Sequence, residues 1–498
     1  MDFSDKTSYS INTKAMTLIV AGILVLVNIL SLRYFVRFDL TESKQYSISD
    51  STENILAGLE DIVTVKAYFT ENLPPQFLPI DRYVRDILAE YEAYGSGNFS
   101  YEFVDPERKI EAAQEAQRIG VQQVRMQVRE NDSFSVKNGY LGLGIFFEGK
   151  TEAIPVIQES DLSNIEYDLT SLIVKLTQPR EMVVGFLQGH DEHSMNSSPY
   201  GAQQEGADYT GVSQVLSRNY DVKSINFARG DTLEGVDALI AAGAKRDLSD
   251  RDIFEIDQYL LKGGKAIFLI DSVSQVAGGI DVQPMENNVK NLFVPMGVTV
   301  DTNVLLDSLS ELTNFQEGPG QFFFLQYPPF IRLVSDNFTS FPVVAKIQSF
   351  VVRFVSSLTF TEDENLNYDK FANTSPSSWS QEGSFNLAPT AIQQPAQDQL
   401  SSRTVGVSIT GMMPRISDKD LVPALQEWIK DDKSGEYALK NVEKDENKKN
   451  REIVKEAQAE ANVIIFADSD FIADPYIRND QTSLVVFQNM VDYLVFGD

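Results

Sequence analysis

The chain has 498 residues, with 72 acidic against 42 basic side chains, a formal charge of -30, two histidines and no cysteine. That length is too great for one ordinary core and predicts two or three domains. The charge repels phosphate backbones and argues against nucleic acid as a partner, and the lack of cysteine excludes disulfides, thiolate metal sites and cysteine nucleophiles.

At the N-terminus, residues 15–32 read AMTLIVAGILVLVNILSL, without a charge, between Lys14 and Arg33. This is close to the length that crosses a hydrocarbon core. The run ends in Leu32, Arg33 and Tyr34 with no small-residue cleavage pattern, so it reads as an uncleaved anchor and not as a signal peptide. An all-round apolar helix at a chain terminus also has little protein to be buried in. The expectation is a tail at 1–13 and a transmembrane helix at 14–36. Lys6 and Lys14 precede the run while Arg33 and Arg37 follow it, so the balance of positive charge does not set its orientation.

From Ile62 strands and helices alternate. IVTVKAYFT (62–70) is β-branched; IDRYVRDILAEYEAYG places Tyr83, Ile87, Leu88 and Tyr91 at helical spacing and stops at Gly95; NFSYEFVDP is again a strand, ending at Pro106. KIEAAQEAQRIG is an amphipathic helix closed by Gly120, and QQVRMQVRE with GYLGLGIFFEGKTEAIPVI reads as paired strands turning at Gly149 and Lys150. The order βαβαββ predicts a thioredoxin-like α/β domain over 37–178, without the Cys-x-x-Cys of a redox scaffold. GYLGLG (139–144) has the look of a phosphate loop, but it falls within a strand pair and no helix start follows it.

A second α/β domain is expected over 179–498. EMVVGFLQGH is a buried strand, YTGVSQVLSRNY a helix, and DVKSINF, VDALIAAG, SDRDIFEIDQYLLKGG and KAIFLID follow as strand, strand, helix and strand. That pattern predicts a doubly wound sheet, in which ligands bind beyond the carboxyl ends of the strands. GHDEH (189–193), AAGAKRD (241–247) and DSVSQ (271–275) would then face one edge. The strand in ANVIIFADSDFIAD (461–474), with Asp468 and Asp470 at its end, is expected to return to this sheet. Between them, about 314–460 reads as a β-rich and looped insertion. Lys346 and Arg353 exclude its apolar run FPVVAKIQSFVVRFVSSLTF as a membrane span. Trp379, among Ser and Pro, is expected to tuck onto its own domain, and 440–461 reads as a solvated loop running into a helix.

Several motifs in this order carry a resemblance: RFDLTESKQYSIS (37–49), EFVDPE (102–107), IEYDLTSLIVKLT (165–177), GFLQGHDEH, LLKGGKAIFLID, SPSSWS (375–380), DSDFIAD and QNMVDYL (488–494). Together they resemble the auxiliary membrane component of GldG-type ABC transport systems. The resemblance implies an extracytoplasmic protein anchored in the inner (cytoplasmic) membrane. It also implies an ABC permease and an ATPase as partners, a link to gliding motility in some bacteria, and an unidentified cargo. It implies further that the second domain is akin to a class I glutamine amidotransferase fold without its catalytic residues. Members of that family commonly continue into a second membrane helix, whereas this sequence stops at Asp498.

GHDEH admits three readings. His190 and His193 with carboxylates such as Asp191, Asp271 or Asp468 could complete a metal shell. A nucleophile such as Ser272 or Ser274 could pair with a histidine in a metal-dependent or serine hydrolase. Or the loop hydrogen-bonds its own strand ends, with His190, Glu192, Asp271 and Asp468 at the mouth of a ligand cleft. The last is preferred, which makes the protein noncatalytic and free of cofactor.

Overall fold

A computed structural model of the chain describes residues 48–497 except 131–132, 163–164, 179, 196–208, 277–279, 319–320, 431–436, 443–451 and 479. The expected tail at 1–13 and anchor at 14–36 lie outside the described residues. Among the described residues no helix is long and apolar enough to cross a membrane. The fold is mixed α/β with several sheets, divided into two compact units, Met1–Gln178 and Pro179–Asp498.

In the first unit, strands β1 (Val63–Phe69), β2 (Phe99–Val104), β3 (Gln123–Glu130), β4 (Ser133–Phe147) and β5 (Lys150–Ile154) form one sheet in the order β2-β1-β4-β3, with β5 also paired to β4. β1 and β2 are parallel, with Val63 opposite Phe99, because the helix Leu78–Tyr94 carries the chain back across the sheet between them. Strand alternation buries Val63, Val65, Ala67 and Phe69 against Ile80, Val84, Ile87, Leu88 and Tyr91 of that helix and Ile165, Leu169 and Ile173 of the helix Ile165–Thr177. The β4–β5 turn is made by Glu148 (φ 45°) and Gly149 (φ 82°), one residue earlier than the sequence suggests, so Phe147 faces Lys150. Two of the quoted motifs meet here. Glu166 accepts from the Ser49 amide at 2.7 Å and the Thr52 hydroxyl at 2.9 Å, while Ser49 caps the helix Asp50–Ala57.

The second unit is built on seven strands. β6 (Val183–Leu187), β7 (Asp221–Ile225), β8 (Ala238–Ala242) and β9 (Lys265–Leu269) stand in the order β9-β8-β6-β7, all parallel. Strand Ala461–Phe466 returns to lie parallel beside β9. β7 and β8 flank β6 on opposite sides, so the winding reverses at β6 and leaves a crevice at its carboxyl end. GHDEH begins two residues after β6 ends.

The stretch read as an insertion is partly sheet. Thr404–Gly411 pairs antiparallel with Ala461–Phe466, and Leu366–Asn373 pairs antiparallel with Thr404–Gly411, extending the same sheet. Trp379 is buried against Val304, Leu306, Tyr327 and Phe354. Of the stretch 440–461, expected to run from loop into helix, 443–451 lie outside the described residues and 452–460 form no helix. Val454 there exchanges two 2.7 Å hydrogen bonds with the Gln258 side chain, and Gln458 N–H donates to Leu261 O at 2.7 Å, so bonds to the helix Asp250–Leu261 override the helix preference of the alanines.

Candidate functional site

Beyond Leu187 the chain turns at Gly189 (φ 127°) and Asp191 (φ 60°). This lets Glu192 fold back on its own loop, accepting from the backbone N–H of Gly189 at 2.9 Å and of His190 at 2.7 Å. The other Glu192 oxygen lies 2.9 Å from His190 Nδ1, and Asp252 Oδ2 lies 3.1 Å from His190 Nε2. Asp252 is itself fixed by the capping box of the helix Asp250–Leu261, where it accepts from Ser249 N–H at 2.7 Å. Burial pulls the imidazole pKa down, but the hydrogen bonds and charges of Asp252 and Glu192 outweigh burial and push it up to about 10. His190 is therefore an imidazolium clamped between two carboxylates. Its carbonyl accepts from the amides of Lys245 at 2.8 Å and Arg246 at 3.1 Å, which ties the loop after β6 to the loop after β8.

His193 has different partners. Its Nε2 lies 3.0 Å from Ser469 Oγ, and its ring stacks on Tyr209 at 4.5 Å. Ser469 gives its hydroxyl proton to Asp271 and its amide to the same carboxylate at 2.8 Å. Asp468 accepts from the amides of Arg353 (2.8 Å), Asp470 (2.7 Å) and Phe471 (3.1 Å). Asp271 and Asp468 thus organise strand-end backbone, and neither lines the cleft described next. A His–Ser contact has the geometry of a base and nucleophile, but Ser469 is fully buried and its proton is directed at Asp271. Ser272 is buried too, and Ser274 lies in the short strand Val273–Gln275. With both His190 nitrogens engaged, the His190/His193 pair does not converge on one ion, and among the described residues no group of three or more His, Asp or Glu is placed to hold a metal.

At the end of β6 opens a cleft of about 400 Å³. It is lined by Gln188, His190, Asp191 and Glu192 after β6, Asn226 and Arg229 after β7, Arg246 after β8, and Asp252 of the helix Asp250–Leu261. The far wall is a hairpin, Gln426–Lys430 paired with Tyr437–Asn441, which supplies Gln426, Glu427, Trp428 and Tyr437. The Trp428 indole N–H donates to Asp247 O at 3.0 Å, and the Arg246 guanidinium sits 3.5 Å from the Tyr437 ring centre while pairing with Asp191. Four carboxylates (Asp191, Glu192, Asp252, Glu427) face three cations (His190, Arg229, Arg246), so the wall is close to neutral.

Residues 181–495 match the auxiliary family described as an ABC-type uncharacterized transport system. The chain belongs to that family. Residues 42–145 match a domain of unknown function. An uncharacterized protein of Borreliella burgdorferi is 23% identical over 390 residues, covering 75% of this chain and 72% of that protein. Among solved structures, the mmIFT52 N-terminal domain is similar with a TM-score of 0.36 at 13% identity, covering 63% of this chain and 98% of that one. An exo-beta-1,4-mannosidase, Op5Man5 from Opitutaceae bacterium strain TAV5, reaches a TM-score of 0.24 at 8% identity, covering 88% of this chain and 54% of that one. Neither score supports an inference about fold or activity.

In this ABC transport auxiliary protein a polar cleft opens, among the described residues, where the order of the parallel strands reverses at β6. The sequence places His190, Asp191 and Glu192, and Arg246 within AAGAKRD, at this edge, and does not point to Asp252, Arg229, Trp428 or Tyr437; Asp271 and Asp468, expected at the mouth, do not line the cleft. The Ser249-x-x-Asp252 capping signal was available for Asp252. Trp428 and Tyr437 reach the cleft only through the tertiary placement of their hairpin.

The buried acids give a testable pH dependence. Burial and the charge of Asp470 raise Asp271 from its ordinary 3.8 to about 6. Its favourable contribution is therefore complete below the unfolded pKa and is lost as pH rises through about 6. Asp271→Asn is expected to flatten the stability profile between about pH 4 and 7, while its effect at any one pH also carries the loss of one of the two hydrogen bonds from Ser469. Urea midpoints at several pH values check this; an unchanged slope would contradict it.

Proposed function

We propose that the chain is the noncatalytic, membrane-anchored subunit of a GldG-type ABC transport system, fixed in the inner membrane by residues 14–36 with 1–13 in the cytoplasm. In this reading a thioredoxin-like first unit and an amidotransferase-like second unit act as extracytoplasmic scaffolds, and the cleft at the end of β6 receives cargo or a cell-envelope partner. The observation that carries the proposal is the family match over residues 181–495. The uncharged run at 15–32 supports the anchor. The cleft chemistry fits binding: His190 is held as a cation by two carboxylates and is a poor base, and Ser469 has no exposed surface.

Two measurements test the proposal. The full chain, solubilised from native membranes, is expected to co-purify with one ABC permease and one ATPase; recovery without either sinks the partner assignment. Protease added to intact spheroplasts is expected to remove both units, and complete protection would reverse the orientation.

A further inference from the structure

We propose that the cleft at the end of β6 is a saccharide site that takes a neutral di- or oligosaccharide. This rests on the reading above that the cleft is where the subunit binds its ligand. The first argument is electrostatic. With four carboxylates against three cations on its wall, in a chain of formal charge -30, the cleft opposes a phosphate or a polyanion, and three of its four carboxylates, Asp191, Glu192 and Asp252, are already paired and leave little for a cation. Its two best-placed cations are already used, His190 by Glu192 and Asp252, and Arg246 by Asp191.

The second argument is the kind of polar group present. Gln188, Asn226, Gln426 and Glu427 add planar amides and a carboxylate to the Asp191–Arg246 pair; Gln188 Nε2 donates to Leu187 O, Asn226 Oδ1 accepts from the Ala228 amide and Gln426 Nε2 donates to Asn441 Oδ1, so each amide is oriented by one head and presents the other. Planar two-headed groups suit the adjacent hydroxyls of a sugar ring, which act as donor and acceptor at once. A peptide is recognised instead by a free strand edge or by apolar pockets; the seven-stranded sheet meets this cleft at its strand ends and the lining is mainly polar, while the hairpin Gln426–Lys430 with Tyr437–Asn441 does bring strand edges beside it, which triglycine tests.

The third argument is the aromatic wall. Trp428 is half-buried, lines the cleft and is held by its hydrogen bond to Asp247 O, so its ring is fixed before any ligand arrives. A large, rigid ring with a polar rim suits the C–H face of a sugar and costs little ordering entropy. Arg246 lies over both rings, 3.5 Å from the Tyr437 centre and 5.8 Å from that of Trp428, so the two aromatics do not form the open paired faces that would sandwich a nucleobase, and the sugar is taken on the Trp428 face opposite Arg246.

The test is calorimetric titration of the full chain in detergent with maltose, cellobiose and N,N′-diacetylchitobiose, beside inorganic phosphate, adenosine and triglycine. At least one disaccharide is expected to bind with a Kd of about 1 mM or tighter. Trp428→Ala should weaken it by about tenfold or more, and Trp428→Phe, which keeps a ring, should restore most of the affinity. The phenylalanine variant guards against a folding defect in the alanine one. No binding by any disaccharide, binding indifferent to Trp428→Ala, or binding of phosphate, adenosine or triglycine in place of sugar would each overturn the proposal. Co-purification with permease and ATPase does not depend on the sugar, so loss of one result leaves the other standing.

Discussion

Replacing His190 by alanine is expected to destabilise the second unit by about 3–5 kcal/mol, because it leaves two buried carboxylates without the cation between them. The side chains of Glu192 and Asp252 are 2% and 3% exposed, and His190 is the group that bridges them. Both tryptophans, Trp379 and Trp428, lie in the second unit, so tryptophan fluorescence during urea unfolding of the full chain reports on that unit alone. Removing one of the stranded charges should recover part of the loss, so His190→Ala with Asp252→Asn is expected to be more stable than His190→Ala. The pH dependence carries its own sign. The folded pKa of about 10 lies above the ordinary 6.5, so the stabilisation is fully present below 6.5 and is lost as pH rises through about 10. Wild-type protein should lose stability between about pH 7 and 10, and His190→Ala should lack that component. A loss under about 1 kcal/mol in the alanine variant would show that the carboxylates are relieved by solvent in the cleft.

How much of this was legible in the sequence depends on how local each signal is. β6, β8 and β9 are short apolar runs bounded by turn residues, and their order relative to the helices between them is enough to place GHDEH at a switch point. The return of Ala461–Phe466 to β9 follows from the same apolar pattern although 191 residues separate the two strands. Strand Leu366–Asn373 was not legible, because only Leu366, Phe371 and Ala372 are buried and the others show no clean alternation. The cleft wall was illegible for a different reason. Trp428 and Tyr437 sit on an amphipathic hairpin whose position is set by contacts remote in sequence, among them the bond from Trp428 to Asp247. The polar face of the helix Asp250–Leu261 misleads most directly. Its spacing marks Arg251, Glu255 and Gln258 as solvent-facing, yet all three are about 1% exposed, since the later segments around Pro423 and Val454 cover that face.

That covered face supplies the second large expected effect. Arg251→Ala should cost about 3–5 kcal/mol, for the same reason as His190→Ala but at an ion pair more deeply enclosed. Arg251 Nε donates to Glu255 Oε1 at 2.7 Å, with side-chain exposures of 2% and 0%, so alanine strands a carboxylate that water does not reach. One guanidinium nitrogen also donates to Pro423 O at 3.1 Å, three residues before the strand that carries Trp428. The arginine therefore anchors the approach to the cleft hairpin as well as its helix. Two readouts separate these roles. The double variant Arg251→Met with Glu255→Leu replaces the pair by apolar groups of similar size and should regain most of the urea stability. It should not restore the anchor to Pro423, so the near-ultraviolet signal of Trp428, measured in a Trp379→Phe background, is expected to stay altered. Recovery of both signals would mean that the hairpin is held by the Trp428–Asp247 bond and its own packing, with Arg251 confined to neutralising Glu255.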